Sequence, residues 1–497
     1  MGTLVREDTR LSLWRRVRAY AVPPATIETA TARRLAGDWA GACAAAGVDL
    51  DLTPRTLART HGTELAARVR ADLRRLAPDL LRWHLPRTAP DGLLRPGTTV
   101  TLAVYPGHEE PGARAPRPVH LVARTAPAWA DAGQRISLAL WDGPPAGPPP
   151  RRWSAYDPAA AHPHPHPGHR FRLDLHRHLW DATRAGELRG RSGADRLPAL
   201  PASPDDPPGP GWAVDRWAAE ARLLLAAEGR TAGPVLVRLG ARHRLLLTPQ
   251  PDGRARTEPA PTGRGRHGTP GDREVPAVLP DAATWTPPDL ALLRAGLITP
   301  DRLHPLVAEA LAPGRRTGTG IRPGAPEDGP RFVECQGSRH RVGLVDGVLV
   351  PLDHDPAELR REELLVALSG PPLPCLRAID EAHRRPDCLT GVRERLAHGD
   401  TAGALAVVEA LLGPGAALRD GPLRDALERA AERKVLHGLY RAGLRATGPE
   451  HVAEPPPAPV PDPDRGPLRR PRGARLGAQD TRRALAHRDH PRHALGR

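Results

Sequence analysis

Val100-Thr-Leu-Ala-Val104, Val119-His-Leu-Val-Ala123 and Ile136-Ser-Leu-Ala-Leu140 decide the fold class. In each run, larger apolar side chains alternate with small or polar ones. That period of two puts one face of a strand in a core and the other against solvent. Pro/Gly-rich turns separate the runs, so they predict an antiparallel meander with one buried face.

Working outward, the segment before the meander is helical. Ile27 to Ala36 ends at Gly37, Asp38 is placed to cap a second helix that stops at Gly47, and Thr53-Pro54 opens a longer one. Leu65, Val69, Leu73, Leu76 and Leu80 recur three or four residues apart, one face of that helix, and Pro78 predicts a break before Trp83. After the meander, a Pro-rich stretch at 143–168 reads as a disordered insertion. Phe171, Leu173 and Leu175 then read as a further strand able to extend the same sheet.

Past a linker at 193–211, Trp217, Ala221, Leu224 and Leu225 mark a helix, and Val235–Leu239 with Arg242–Thr248 a hairpin turning at Gly240-Ala241. A third linker runs from Gln250 to Asp272, and helices are expected near Pro288–Ala295 and Pro300–Leu311. After a last linker, Arg341-Val-Gly-Leu-Val, Asp346-Gly347 and Val348-Leu-Val-Pro-Leu352 form the clearest hairpin, because Asp-Gly suits the two positive-φ positions of a type I′ turn. Arg331–Cys335 is expected beside it, Asp355-Pro-Ala-Glu358 caps the next helix, and helices continue to about Gly443. The whole reads as α+β: N-terminal helices with an antiparallel sheet, a small central α/β segment, and a C-terminal hairpin followed by helices, joined by long Pro/Gly-rich linkers. The expected units are 1–182, 211–313 and 331–445, with a disordered basic tail at 446–497.

Composition narrows the chemistry. Glycine (49) and proline (61) make up over a fifth of the 497 residues, so much of the chain is turn or linker. Asparagine is absent and Lys434 is the single lysine, so nearly all 72 basic residues are arginine and the net charge of +15 reflects a GC-rich codon habit as much as a partner. Lys434 has no glycine-rich loop before it, which excludes an ATP site of the Walker type, and a kinase site lacks its asparagine. Four cysteines are too few for a disulfide framework, and neither a secretory signal nor a membrane-length apolar run is present, so a reduced, cytoplasmic protein is expected.

Three stretches carry candidate sites. On a 169–178 strand, Asp174, His176 and His178 share the face opposite Phe171, Leu173 and Leu175, which is a geometry for one divalent metal, the only cofactor considered. His162, His164, His166 and His169 precede them in a His-Pro repeat, while Arg170 and Arg172 on the same face oppose a cation. His176 and His178 resemble the His-x-His pair of metal-dependent hydrolases built on a (β/α) barrel, although the strand–helix alternation of that barrel is missing. Cys335, His340, Cys375, His383 and Cys388 form a second cluster whose spacing matches no paired zinc knuckle; Asp353-His354-Asp355 reads as a strand-to-helix turn. Arg469, Arg470, Arg472 and Arg475 stand in a tail, 465–497, with ten arginines against Asp480 and Asp489, suited to a polyanion without base readout.

One internal echo stands out: Arg34-Leu-Ala-Gly-Asp-Trp-Ala-Gly-Ala against Arg395-Leu-Ala-His-Gly-Asp-Thr-Ala-Gly-Ala, both reading as tight helical hairpins. Leu13-Trp-Arg-Arg-Val-Arg-Ala-Tyr-Ala-Val-Pro-Pro24, with Ala36-Gly-Asp-Trp-Ala-Gly-Ala-Cys43, resembles a family of uncharacterised proteins of GC-rich actinobacteria. That resemblance implies no activity and assigns no site residue. The sequence therefore points to a non-catalytic interaction or scaffold protein with an unidentified protein partner. Alternatives are a metal-dependent hydrolase centred on the 169–178 strand and a nucleic-acid accessory protein using the tail.

Overall fold

A computed structural model describes residues 2–107, 118–142, 167–195, 211–240, 243–260, 276–314, 331–335, 337–345, 348–368, 371, 373–384, 389–412, 418, 420–442 and 444. Nearly all of the expected insertion at 143–168 and the expected tail at 446–497 fall outside them.

The chain opens with α1 (Gly2–Tyr20), α2 (Pro24–Leu35) and α3 (Trp39–Ala45), passes through β1 (Val48–Leu50), and continues as α4 (Pro54–Arg75) and α5 (Pro78–His84). Thr53 caps α4 by accepting from Thr56 N–H, and α4 bends at Gly62, whose φ of 83° only glycine adopts freely. The meander forms in the expected order, β2 (Thr99–Tyr105), β3 (Val119–Thr125) and β4 (Ile136–Trp141) pairing antiparallel, but β2 is buried on both faces rather than one, Thr99 and Thr101 as well as Val100 and Leu102 being covered. β1 completes the sheet by pairing parallel to β4, with Val48 opposite Ile136 and Leu50 opposite Leu138. Three residues are too few to show a period, which is why no strand was expected there. Val100, Leu102, Leu121 and Leu138 on the sheet pack with Leu65, Val69, Leu73 and Leu80 of the helices. Each leucine so buried is worth about 2 kcal/mol.

The next segment carries α6 (Leu188–Ser192), then α7 (Val214–Ala227), β5 (Val235–Arg238), β6 (Arg244–Pro249), β7 (Ala255–Pro259) and β8 (Ala277–Val278). These strands make a second sheet in the order β7-β6-β5-β8, against which α7 buries Trp217, Ala221, Leu224 and Leu225. Leu239 N–H bonds His243 O, a pairing that the expected two-residue Gly240-Ala241 turn does not give; 241–242 lie outside the described residues. α8 (Asp281–Thr284) follows, then α9 (Pro288–Arg294) and α10 (Pro305–Leu311). These last two leave the second core and bury Leu290, Val307 and Leu311 in the first, beside Trp83 and Trp180.

A third sheet holds β9 (Arg331–Cys335), β10 (Ser338–Val345) and β11 (Val348–Pro351), with Val345 opposite Val348; Asp346 and Gly347 lie outside the described residues. It is followed by α11 (Pro356–Ala367), α12 (Pro374–Arg384), α13 (Leu389–His398), α14 (Thr401–Leu412) and α15 (Pro422–Arg441). The molecule is α+β, and among the described residues its β segments form three separate sheets. No described helix is long and apolar enough to cross a membrane.

The echo is structural. Asp38 accepts from Gly41 N–H at 2.8 Å and Asp400 from Gly403 N–H at 2.9 Å. Arg33 and Arg395, each five residues earlier, pair with the other oxygen at 3.1 and 2.8 Å. Aligned on Gly-Asp, the copies match with Arg33 in place of Arg34 and need no inserted residue.

Candidate functional site

The 169–178 stretch meets the first sheet only once. Thr101 N–H donates to Phe171 O at 2.9 Å and Leu173 N–H to Thr101 O at 2.7 Å, a single bridge beside β2. The Leu173 carbonyl then accepts from His176 N–H (3.1 Å) and from Trp180 Nε1 (3.0 Å), closing a turn over Asp174-Leu175. A helical turn follows at Arg177–Leu179. The expectation that Asp174, His176 and His178 share a strand face is thereby corrected, since a turn breaks the alternation. Asp174 is held by Arg172 at 3.2 and 2.8 Å, on an open groove with Asp72, Tyr105 and Arg177. His176 and His178 turn into the interior, with 1% and 3% exposure. Among the described residues, these three do not form a group with ligand atoms within 4.8 Å of one another.

His176 instead meets Glu220 of α7, Nε2 to Oε2 at 3.2 Å. The same carboxylate takes both arms of Arg191 (2.8 and 2.7 Å) and one of Arg216 (2.8 Å). Burial works to raise the Glu220 carboxyl, but the bonds from His176 and Arg191 outweigh it and keep it well below the usual range. His178 lies next to this hub. Burial, with His176 and Arg191 nearby, drives its pKa far down, so the ring is neutral, and its Nδ1 is buried without a partner.

A second polar hub ties α1 to α9. Arg18 forks onto Asp289 at 2.6 and 2.9 Å, Trp83 Nε1 donates to the same carboxylate at 3.1 Å, and the guanidinium lies 4.3 Å over the Trp83 ring. His84 follows in chain order. Its Nδ1 faces the Leu80 and Leu179 carbonyls at 3.1 and 3.2 Å, so Nδ1 carries the proton and Nε2 keeps a lone pair. Burial, reinforced by Arg18 and His304 against Asp289, pushes His84 down to about 4.

Between the hubs is a partly open cavity of about 190 Å³. Leu13, Trp14, Leu85, Val100, Phe171, Leu173, Leu179 and Trp285 form its apolar wall, and His84 and His178 reach it. Six arginines also line it: Arg10, Arg87, Arg95, Arg170, Arg191 and Arg216. Among the described residues, the one acid on that wall is Asp281, already forked by Arg170 at 3.0 and 2.6 Å. Arg87 is 7% exposed and donates only to carbonyls, Arg82 O at 2.7 Å and Gly92 O at 3.4 Å. No described carboxylate lies within ion-pair distance of it, and its Nε is buried without a partner. Burial, with the charges of Arg82 and Arg18, presses its pKa well down.

These arginines come from widely separated segments and were missed because arginine fills most basic positions of the chain. The local signal was Trp83-His-Leu-Pro-Arg87, where a guanidinium follows an apolar run; the acid next in sequence, Asp91, pairs with Arg16 instead. Cys43 is no nucleophile, since burial, then Asp38 and Asp79, push its thiol up to about 12. Of the second sequence cluster, Cys335 and Cys375 come together, joined by His354 and not by the expected His340; the His383 side chain and Cys388 lie outside the described residues. So do His162, His164, His166 and the tail residues Arg469, Arg470, Arg472 and Arg475. No protein family, curated protein or solved structure matches the chain, so the geometry alone carries the functional argument.

Proposed function

We propose that the chain binds a small organic anion, a carboxylate on an aromatic or short acyl body, in the arginine-lined cavity. Arg87 carries this reading: like Arg82 it is a buried guanidinium that bonds only carbonyls, but it lines the cavity and its Nε has no partner, so a bound anion can offset the several kcal/mol its unbalanced charge costs. Planar forks match a carboxylate in two-point contact. The apolar wall takes the rest of the ligand, and a cavity of ~150 Å³ already admits a benzene ring, so 190 Å³ fits one ring with its charged group. This keeps the expectation of a binding protein and places a small molecule where a protein partner was expected.

The test is thermal unfolding and calorimetry with benzoate, phenyl phosphate, inorganic phosphate and neutral benzamide. Benzoate at about 100 times its dissociation constant stabilises by ~2.7 kcal/mol, and benzamide leaves the midpoint unchanged. Arg87→Met abolishes the benzoate shift. A larger response to phenyl phosphate reassigns the anion to a phosphate ester; equal responses to benzoate and benzamide, or none, overturn the reading.

A further inference from the structure

We propose that Cys335, His354 and Cys375 form a zinc centre that closes the C-terminal sheet onto α12. Cys335 ends β9, His354 lies in the turn between β11 and α11, and Cys375 is the second residue of α12. Their ligand atoms lie within 4.8 Å of one another. Tetrahedral zinc with Zn–S bonds of ~2.3 Å places two sulfurs about 3.8 Å apart, so a shift of about an ångström or less completes the geometry.

Three observations point to a metal rather than to ordinary buried thiols. Both cysteines are free, not disulfide-bonded, and are 1% and 0% exposed. His354 Nε2 is buried with no hydrogen-bond partner, which costs about 1–3 kcal/mol unless something accepts its lone pair or proton. Glu358 Oε2 stands 3.6 Å from the other ring nitrogen, the place of the carboxylate that orients a metal-bound imidazole. Among the described residues the cluster around the site has five buried members, Cys335, Val342, Leu373, Cys375 and Ile379. So small a core gains much from a metal staple. On binding, each thiol loses a proton, and the two thiolates neutralise the Zn²⁺ charge. His340 stacks on His354 at 4.1 Å and so helps fix the orientation of that ring.

The experiment uses the full-length chain without an affinity tag, purified without chelator, with zinc measured by elemental analysis. One zinc per chain is expected, released by a thiol-modifying reagent; Cys375→Ser and His354→Gln lose it. Zinc retained in both variants places the metal elsewhere, for instance on the His-Pro segment, and overturns the proposal. A Cys335–Cys375 disulfide in metal-free protein overturns it as well. If the variants do not fold, titrating the metal-free wild type with Co²⁺ decides. Tetrahedral cobalt bands with thiolate charge transfer support the site, and their absence refutes it.

Discussion

Arg82 donates to the His398 carbonyl at 2.9 Å, a contact that spans 316 residues of chain. The same guanidinium reaches Ala21 O at 3.1 Å and Gln134 O at 2.5 Å. One buried side chain therefore pins the α1–α2 junction, the loop before β4 and the end of α13. No carboxylate takes part, so the bonds work by satisfying carbonyls that would otherwise be buried alone.

Arg82→Met orphans those three carbonyls and is expected to lower unfolding stability by on the order of 4 kcal/mol. Arg82→Lys, with one compact donor group, recovers only part of this. Urea titration gives the magnitude, and limited proteolysis shows whether the α13–α14 hairpin detaches. A loss below about 1 kcal/mol would mean that apolar packing, not this clamp, joins the two ends of the chain.

The paired Gly-Asp hairpins make a matched experiment. Removing either cap, Asp38→Ala or Asp400→Ala, is expected to cost about 1 kcal/mol. The glycines before them are not equivalent. Gly37 and Gly399 have φ of 78° and 88°, but a methyl at Gly37 meets open space while one at Gly399 runs into the Gly133 carbonyl. Gly37→Ala thus costs about 1 kcal/mol of backbone strain, and Gly399→Ala several times more. Similar losses in the two glycine variants would show that the loop at Gly133 yields.

That contrast marks what the sequence discloses. Gly-Asp-x-Ala-Gly-Ala was legible as a helical hairpin twice over, because glycine, cap and small residue act within six positions. The meander was legible for the same reason, its period being local. The turn at Asp174-Leu175 was not, since it depends on the Leu173 carbonyl serving both His176 N–H and the distant Trp180 ring. Nor was the cavity: Arg10, Arg87, Arg170 and Arg216 converge only after the first two cores pack together, and the arginine-rich composition hid them. His354 was passed over as a turn residue because its thiol neighbours lie 19 and 21 positions away.

Acid sensitivity follows from buried imidazoles, and His84, His178 and His398 all carry depressed pKa values. His84 and His398 are both pushed down to about 4, each chiefly by burial; for His398 the charges of Arg87, Arg16 and Arg82 add to it against the Glu394 carbonyl. With folded values below the ordinary 6.5, the unfolded chain binds protons first as pH falls. Stability present above pH 6.5 is therefore lost progressively down to about pH 4, by about 2 kcal/mol per histidine at pH 5. Urea midpoints at pH 7 and pH 5 measure the loss, and His84→Gln with His398→Gln should cut it back to the share carried by His178. A midpoint independent of pH over that interval would show both rings to be solvated.

Arg18 and Arg87 test the cavity's charge directly, because both are buried guanidinia and only one has an acid. Arg18→Met leaves Asp289 inside the protein with Trp83 Nε1 as its remaining close donor, and such a stranded carboxylate costs about 3–5 kcal/mol. Arg87→Met removes a charge that no described acid balances and gives up its bonds to the Arg82 and Gly92 carbonyls. Those effects oppose each other, so ligand-free stability should change by no more than about 1 kcal/mol in either direction. Chemical denaturation of both variants, in buffer free of organic anions, gives the comparison. If Arg87→Met proves as damaging as Arg18→Met, its charge is already balanced in the free protein, and the cavity has no call on an anion.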